Sequence, residues 1–255
     1  MTTGNFNILF DIYNAESYNE RQIALLLILP TQRNVFIMNK KPLSESNNLF
    51  YLLCGMLLLT SELWKQITLT FLSNDGTYIW WYFPFQLCSI PMYVCLIIPF
   101  IKNTVLRSVL IVFLMDYGLI GGFFAFFDTS GMHYSYFPLT VHSYLWHILL
   151  ILIGLHAGRD YRYEKKQNYF MQATSLYLAC CMIATIFNLA FYPYGDINMF
   201  YISPHYHMQQ KVFRTIALYC GDLAGSLIYI LSTIFGAWGI NQLWIMWIKK
   251  GTGDF

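Results

Sequence analysis

Residues 83–100 read FPFQLCSIPMYVCLIIPF, an apolar run of membrane length that carries Gln86, Cys88 and Pro91 together near one end. A span built only to anchor needs none of them. Proline removes a helical hydrogen bond and frees a carbonyl one turn back, so Pro91 is expected to loosen the backbone beside Cys88. The stretch reads as a site inside a span.

The rest of the chain defines the solvent of that site. Of 255 residues, 57% are hydrophobic, 19% aromatic and only 11% charged, with mean hydropathy +0.46. A soluble domain carries about twice that share of charge. A helical span needs about 20 apolar residues, and six segments qualify: 48–71, 82–101, 106–127, 139–157, 171–192 and 215–248. The last is long enough to tilt or break. The expected fold is therefore all-α, a polytopic membrane bundle of six transmembrane helices. A net charge of +2 gives no reason to expect nucleic acid as a partner. The six cysteines are scattered through apolar spans rather than spaced along loops, which favours buried thiols over disulfides.

Charge placement sets the orientation, because short loops rich in lysine and arginine stay cytoplasmic. Lys40 and Lys41 precede the first span. Lys102 and Arg107 fill the second loop, Arg159, Arg162, Lys165 and Lys166 the fourth, and Lys249 and Lys250 follow the sixth span. Loops 72–81 and 128–138 contain no lysine or arginine. Both termini are thus expected on the cytoplasmic side of a cell membrane, with only Lys211 and Arg214 dissenting. Upstream, IALLLILP at 23–30 runs directly into TQRN. A span over 22–38 would put Arg33 in hydrocarbon at a cost of roughly 2.5–3.5 kcal/mol. Residues 1–46 are read as an interfacial or re-entrant segment, with a seventh span as the alternative, and residues 47–255 as the transmembrane domain. A cleaved signal peptide is not expected, since acidic residues occupy the n-region and no small-x-small site follows.

At about 1.5 Å of rise per residue, Cys88 should lie roughly 9 Å below the outer end of its span and His147 roughly 12 Å. Glu62 reaches a similar level from the other side, Asp222 lies about seven residues into the last span, and Asn188 sits near the outer end of the fifth. Intramembrane polar groups are expensive and face a cavity or one another, so a polar pocket in the outer half of the bilayer is expected. Plainer readings compete. Glu62 and Lys65, three apart, can simply neutralise each other, and that reading comes first. Asp116 and Asp222 can each bond a neighbouring helix or orient a histidine. Gly221 and Gly225 form a small-xxx-small face that lets a helix approach. His142 and His147 are about 140° apart around their helix, and His156 is about 21 Å along it from His142. None has the four-residue spacing of helical metal ligands. His205 and His207 make a loop H-x-H, more simply read as ordinary surface histidines. Cys95 is about 10 Å from Cys88, beyond disulfide reach.

The motif Phe83-Pro84-Phe85-Gln86-Leu87-Cys88, then His147, then Asn198-Met199-Phe200-Tyr201 with Pro204, resembles the YwaF family of bacterial membrane proteins and its animal relative, transmembrane protein 164. The resemblance covers about residues 48–248 in span number, order and loop length. It implies a membrane-embedded acyltransferase that moves a fatty acyl chain from a phospholipid, through a cysteine and a histidine, to a lipid acceptor or to water. Those roles fall on Cys88 and His147. Many bacterial members carry histidine where this chain has Gln86, and glutamine there could position an ester carbonyl or stabilise an oxyanion. Asp222 or Glu62 would hold the imidazole, with Asn188 at the same level. Phospholipids and lysophospholipids are the implied substrates, and no metal or diffusible cofactor is required. A small proton- or ion-coupled transporter is the alternative, with Asp116, Glu62 and Lys65 marking the path. A non-catalytic membrane partner is the third reading.

Overall fold

The computed structural model describes residues 45–161 and 167–252. The segment 22–38, read as interfacial or spanning, lies outside the described residues, as do the basic residues Arg162, Lys165 and Lys166. Helix α1, Glu45–Ile67, runs on through a π turn at Thr68–Leu72, closely matching the expected first span.

The expected second span is not one rod. A single 3-10 turn, Trp80–Tyr82, leads into irregular backbone at 83–89, and only then does α2, Ile90–Ile97, begin and tighten into a 3-10 turn at Ile98–Phe100. The helical part, Ile90–Phe100, is about 16 Å long, half of a hydrocarbon core of about 30 Å. Pro91 falls in the first turn of α2, where the missing N–H would have had no helical partner. It starts a helix rather than loosening one, and Cys88 sits in the irregular approach instead of partway down a continuous span.

Asn103 caps the next helix, its Oδ1 accepting the N–H groups of Val105 and Leu106 at 2.9 and 3.1 Å. Helix α3, Thr104–Phe113, continues through a π turn at Leu114–Gly118 into α4, Leu119–Phe124. Helix α5 is Phe137–Asp160 and α6 is Tyr169–Phe191. The long last segment breaks, as its length suggested: α7, Lys211–Cys220, stops at Gly221, whose φ of 86° is left-handed, and α8, Asp222–Thr252, starts anew. Gly225 of α8 packs on Ala217 of α7, where an added Cβ would stand 2.6 Å from the alanine Cβ.

Among the described residues, four stretches are long and apolar enough to cross a membrane: Thr104–Phe124, Phe137–Asp160, Tyr169–Tyr194 and Asp222–Lys249. Helix α1 has the length, but Glu62, Lys65 and Gln66 dilute its apolar character. The α3–α4 stretch is the core, with 72% of its apolar window buried against 17% for α8. Phe113, Leu114, Met115 and Tyr117 are fully enclosed. Tyr117 stacks on Tyr177 of α6 at 4.7 Å and donates its hydroxyl to Thr174 at 2.8 Å. On α8, Leu223, Leu227, Leu231 and Phe235 are all exposed, a stripe at four-residue spacing that turns outward, as a helix does when its solvent is lipid. The fold is an all-helical membrane bundle.

Candidate functional site

The site begins with a strained loop. Phe200 and Tyr201 both have left-handed backbone, φ 56° and 57°, a conformation that costs side-chain-bearing residues roughly 1–2 kcal/mol each. Three buried or half-buried amides hold it. Gln86 accepts the Phe200 N–H at 2.7 Å and donates to the Asn198 carbonyl at 2.9 Å. Asn188, with no exposed surface, donates to the Met199 carbonyl at 3.0 Å and accepts its N–H at 2.6 Å. Asn198 accepts the Ser203 N–H at 2.9 Å. The two quoted motifs, 83–88 and 198–201, are thus bonded to each other, 112 residues apart in the chain between Gln86 and Asn198.

Cys88 lies two residues beyond Gln86 in the same irregular stretch and is half-buried. Its carbonyl accepts the indole N–H of Trp146 on α5 at 3.1 Å. An added Cβ on Gly121 of α4 would stand 3.6 Å from the Cys88 Cα, so α4 closes over the cysteine backbone. The residue after Trp146 is His147, buried at 9% exposure, with Nδ1 2.7 Å from the Ser143 carbonyl. A carbonyl only accepts, so Nδ1 carries the proton, and in the neutral ring Nε2 is left with a free lone pair. Cys88 Sγ and the imidazole are on adjoining elements without a hydrogen bond between them. Unliganded catalytic pairs are often looser than the reacting complex.

The model of the TMEM164 family matches residues 19–242 of this chain. The chain belongs to the TMEM164 family. No curated protein and no solved structure matches it.

Around the cysteine of this TMEM164 family chain the charges come from α1. Lys65 pairs with Glu62 at 2.8 Å, the self-neutralising arrangement expected from their spacing, and Gln66 donates to Glu62 at 2.6 Å and to the Tyr82 carbonyl at 2.7 Å. Glu62 and Lys65 nevertheless lie close enough to act electrostatically on Cys88, and Lys65 also acts on His142 and His147. The phenols of Tyr134 and Tyr201 lie within electrostatic range of Cys88. Burial pushes the Tyr134 hydroxyl up and that of Tyr201 up to about 12, so both are protonated donors at neutral pH. Sequence reading passed over these two tyrosines. Tyr201 lay inside a quoted motif, whereas Tyr134 had no signal among 20 tyrosines.

Two expected site residues have other duties. Asp222 is not deep in a span, because Gly221 breaks the helix and makes Asp222 the first residue of α8. There it holds the His207 Nδ1 at 2.7 Å and the Met208 N–H at 3.0 Å, so it orients a surface histidine instead of His147. Asn188 holds the Met199 backbone. The H-x-H pair is likewise divided, since His205 stacks on Tyr192 at 3.7 Å while His207 pairs with Asp222. Among the described residues no group of three His, Cys, Asp or Glu side chains could hold a metal ion. All six cysteines are free.

Proposed function

We propose that this protein is a membrane-embedded acyltransferase that carries a fatty acyl chain on Cys88, with His147 as general base and acid. The observation that carries the reading is the His147 tautomer: Nδ1–H is committed to Ser143, which leaves a basic Nε2 on the helix that also bonds the Cys88 backbone through Trp146. The imidazole takes the thiol proton, and the thiolate attacks the ester carbonyl of a glycerophospholipid. The tetrahedral intermediate collapses to a thioester as the lysolipid oxygen leaves with the proton from His147. A lipid hydroxyl, or water, then attacks the thioester with His147 again as base; the C–S bond breaks, the Cys88 thiolate leaves and regains its proton from His147, and the acyl chain departs as a new ester or a free fatty acid. Lys65 favours the thiolate against the opposing charge of its partner Glu62, and the Tyr134 and Tyr201 phenols can donate to the oxyanion. Gln86 supports the site by fixing the loop that carries Tyr201. Phospholipids and lysophospholipids are the substrates in this reading, and the protein lies in the cell membrane with both termini cytoplasmic.

Intact-protein mass measurement after incubation with phospholipid tests it. A fatty-acyl adduct on the wild type, released by neutral hydroxylamine and missing from Cys88→Ala, is the expected result. No adduct after rapid acid quenching, with lipid composition unchanged, would exclude cysteine catalysis.

One observation favours proton- or ion-coupled transport as a second reading. Asp116 is fully buried in the π turn between α3 and α4, accepts from Asn241 of α8 at 2.9 Å, and has a second oxygen without a partner. π turns recur at functional positions. Transport abolished by Asp116→Asn but retained by Cys88→Ala would establish it.

A further inference from the structure

At the far end of α5, Arg159 lies twelve residues beyond His147, about 18 Å along the helix axis, and borders two cavities at once. One, of about 430 Å³, is polar and lined by Asn47, His156, Arg159 and Asp160. The other, of about 500 Å³, is an apolar groove whose walls include Leu119, Leu155, Ile240, Trp244 and Trp247. Gly158 lets α8 come in here: a Cβ on it would stand 2.2 Å from the Trp244 ring.

The polar cavity has a cationic side chain, Arg159, left over. Both Asp160 oxygens are taken by neutral donors, Asn47 at 2.5 Å and the Tyr51 hydroxyl at 3.2 Å. Among the described residues neither Arg159 nor Arg107 forms an ion pair. Arg107 is 6% exposed and spends Nη1 on the Ile98 carbonyl at 2.8 Å, while its Nε and Nη2 have no partner. It acts electrostatically on Tyr51, whose hydroxyl bonds Asp160. His156, stacked on Phe50 at 3.8 Å, has a buried Nε2 without a partner. The buried Nε2 of His156 and the Nε and Nη2 of Arg107 are thus left without partners, and buried polar groups of this kind are costly unless a ligand meets them.

We propose that this end of the bundle binds one anionic glycerophospholipid, its phosphate at Arg159 and His156 and one acyl chain along the groove between α5 and α8. An apolar trough that opens onto a cationic pocket through a shared arginine fits an anionic amphiphile, whereas a free anion would leave the trough unfilled. The site is separate from Cys88 and consumes no lipid. Under the orientation inferred from loop charge it faces the cytoplasmic leaflet, where anionic head groups meet basic pockets between helices.

The test uses the delipidated full chain in the Cys88→Ala background, with dioleoyl phosphatidylglycerol or dioleoyl phosphatidylcholine added and binding followed by native mass spectrometry. Phosphatidylglycerol should bind about fivefold tighter, the factor that one interfacial cationic contact supplies. Arg159→Gln should erase that preference and Arg159→Lys keep most of it, with the lipid-free melting temperature unchanged because Arg159 is exposed. Leu243 also lines the groove, and Leu243→Trp, which fills it, should weaken both lipids. A preference that survives Arg159→Gln, lipid binding indifferent to Leu243→Trp, or glycerol phosphate competing as well as the whole lipid would each overturn the proposal.

Discussion

Gln86 accepts the N–H of Phe200 at 2.7 Å, and Phe200 has a left-handed φ of 56°. The cysteine motif therefore supports a strained loop that lies 114 residues further along the chain. Gln86→Glu keeps the acceptor but turns an oxygen towards the Asn198 carbonyl, and Gln86→Ala removes both bonds. Each should lower stability by about 1–3 kcal/mol, the cost of stranding buried backbone groups. Thermal unfolding in detergent measures the loss, and acyl-adduct formation should fall along with it.

Asn188→Ala strands the Met199 N–H and carbonyl together. We expect a loss of about 2–4 kcal/mol, since two buried groups lose partners. Asn188→Asp, which keeps the acceptor alone, should fall in between. Equal stability for all three proteins would show that water replaces the amide.

His147→Gln and Cys88→Ser separate the two roles assigned to the reacting pair. Removal of the imidazole should slow adduct formation by about 10²–10⁴-fold, the usual contribution of a general base. Serine at position 88, a far weaker nucleophile whose adduct would be an oxyester stable to neutral hydroxylamine, should give no hydroxylamine-sensitive adduct. Time-resolved intact mass reads both.

Asp116→Asn preserves an oxygen to accept from Asn241 and removes the charge. With one carboxylate oxygen already unpartnered in a fully buried position, the substitution should leave stability within about 1 kcal/mol of wild type or raise it. Asp116→Leu, which strands Asn241, should be clearly worse. Lipid acyl transfer should survive Asp116→Asn, and its loss would join Asp116 to the reaction.

Outside the spans, Asp128 gives a pH test. Partial burial pushes its carboxyl up, but bonds from Ser130 and the Lys211 ammonium at 3.0 Å outweigh that and hold it below the usual carboxylate range. A depressed folded value contributes stability above the unfolded pKa of about 3.9 and loses it as pH falls through the folded value. Melting temperatures of wild type and Asp128→Asn should thus differ most at neutral pH and converge towards pH 3.

Much of the fold was legible because hydropathy and length leave few choices for 106–127, 139–157 and 171–192. The stretch at 83–100 misled for a physical reason: composition is averaged over a window, whereas the helix start is decided locally by Pro84 and Pro91. Depth counted in helical residues failed for Asp222 because a single glycine at 221 resets the register. The Gln86–Phe200 and Asn188–Met199 bonds were out of reach, since a side chain bonded to distant backbone leaves no periodic trace. What the sequence did carry was the identity of the two segments that meet, 83–88 and 198–201.

The amides at positions 86, 188 and 198 tie three remote segments into one heritable unit. A lineage that changes Gln86 must find another partner for the 198–200 backbone, so drift at 86, 188 and 198–201 should proceed in concert while the exposed stripe of α8 varies freely. Pairs of family members that differ at Gln86 are accordingly where a second geometry of this loop should be sought.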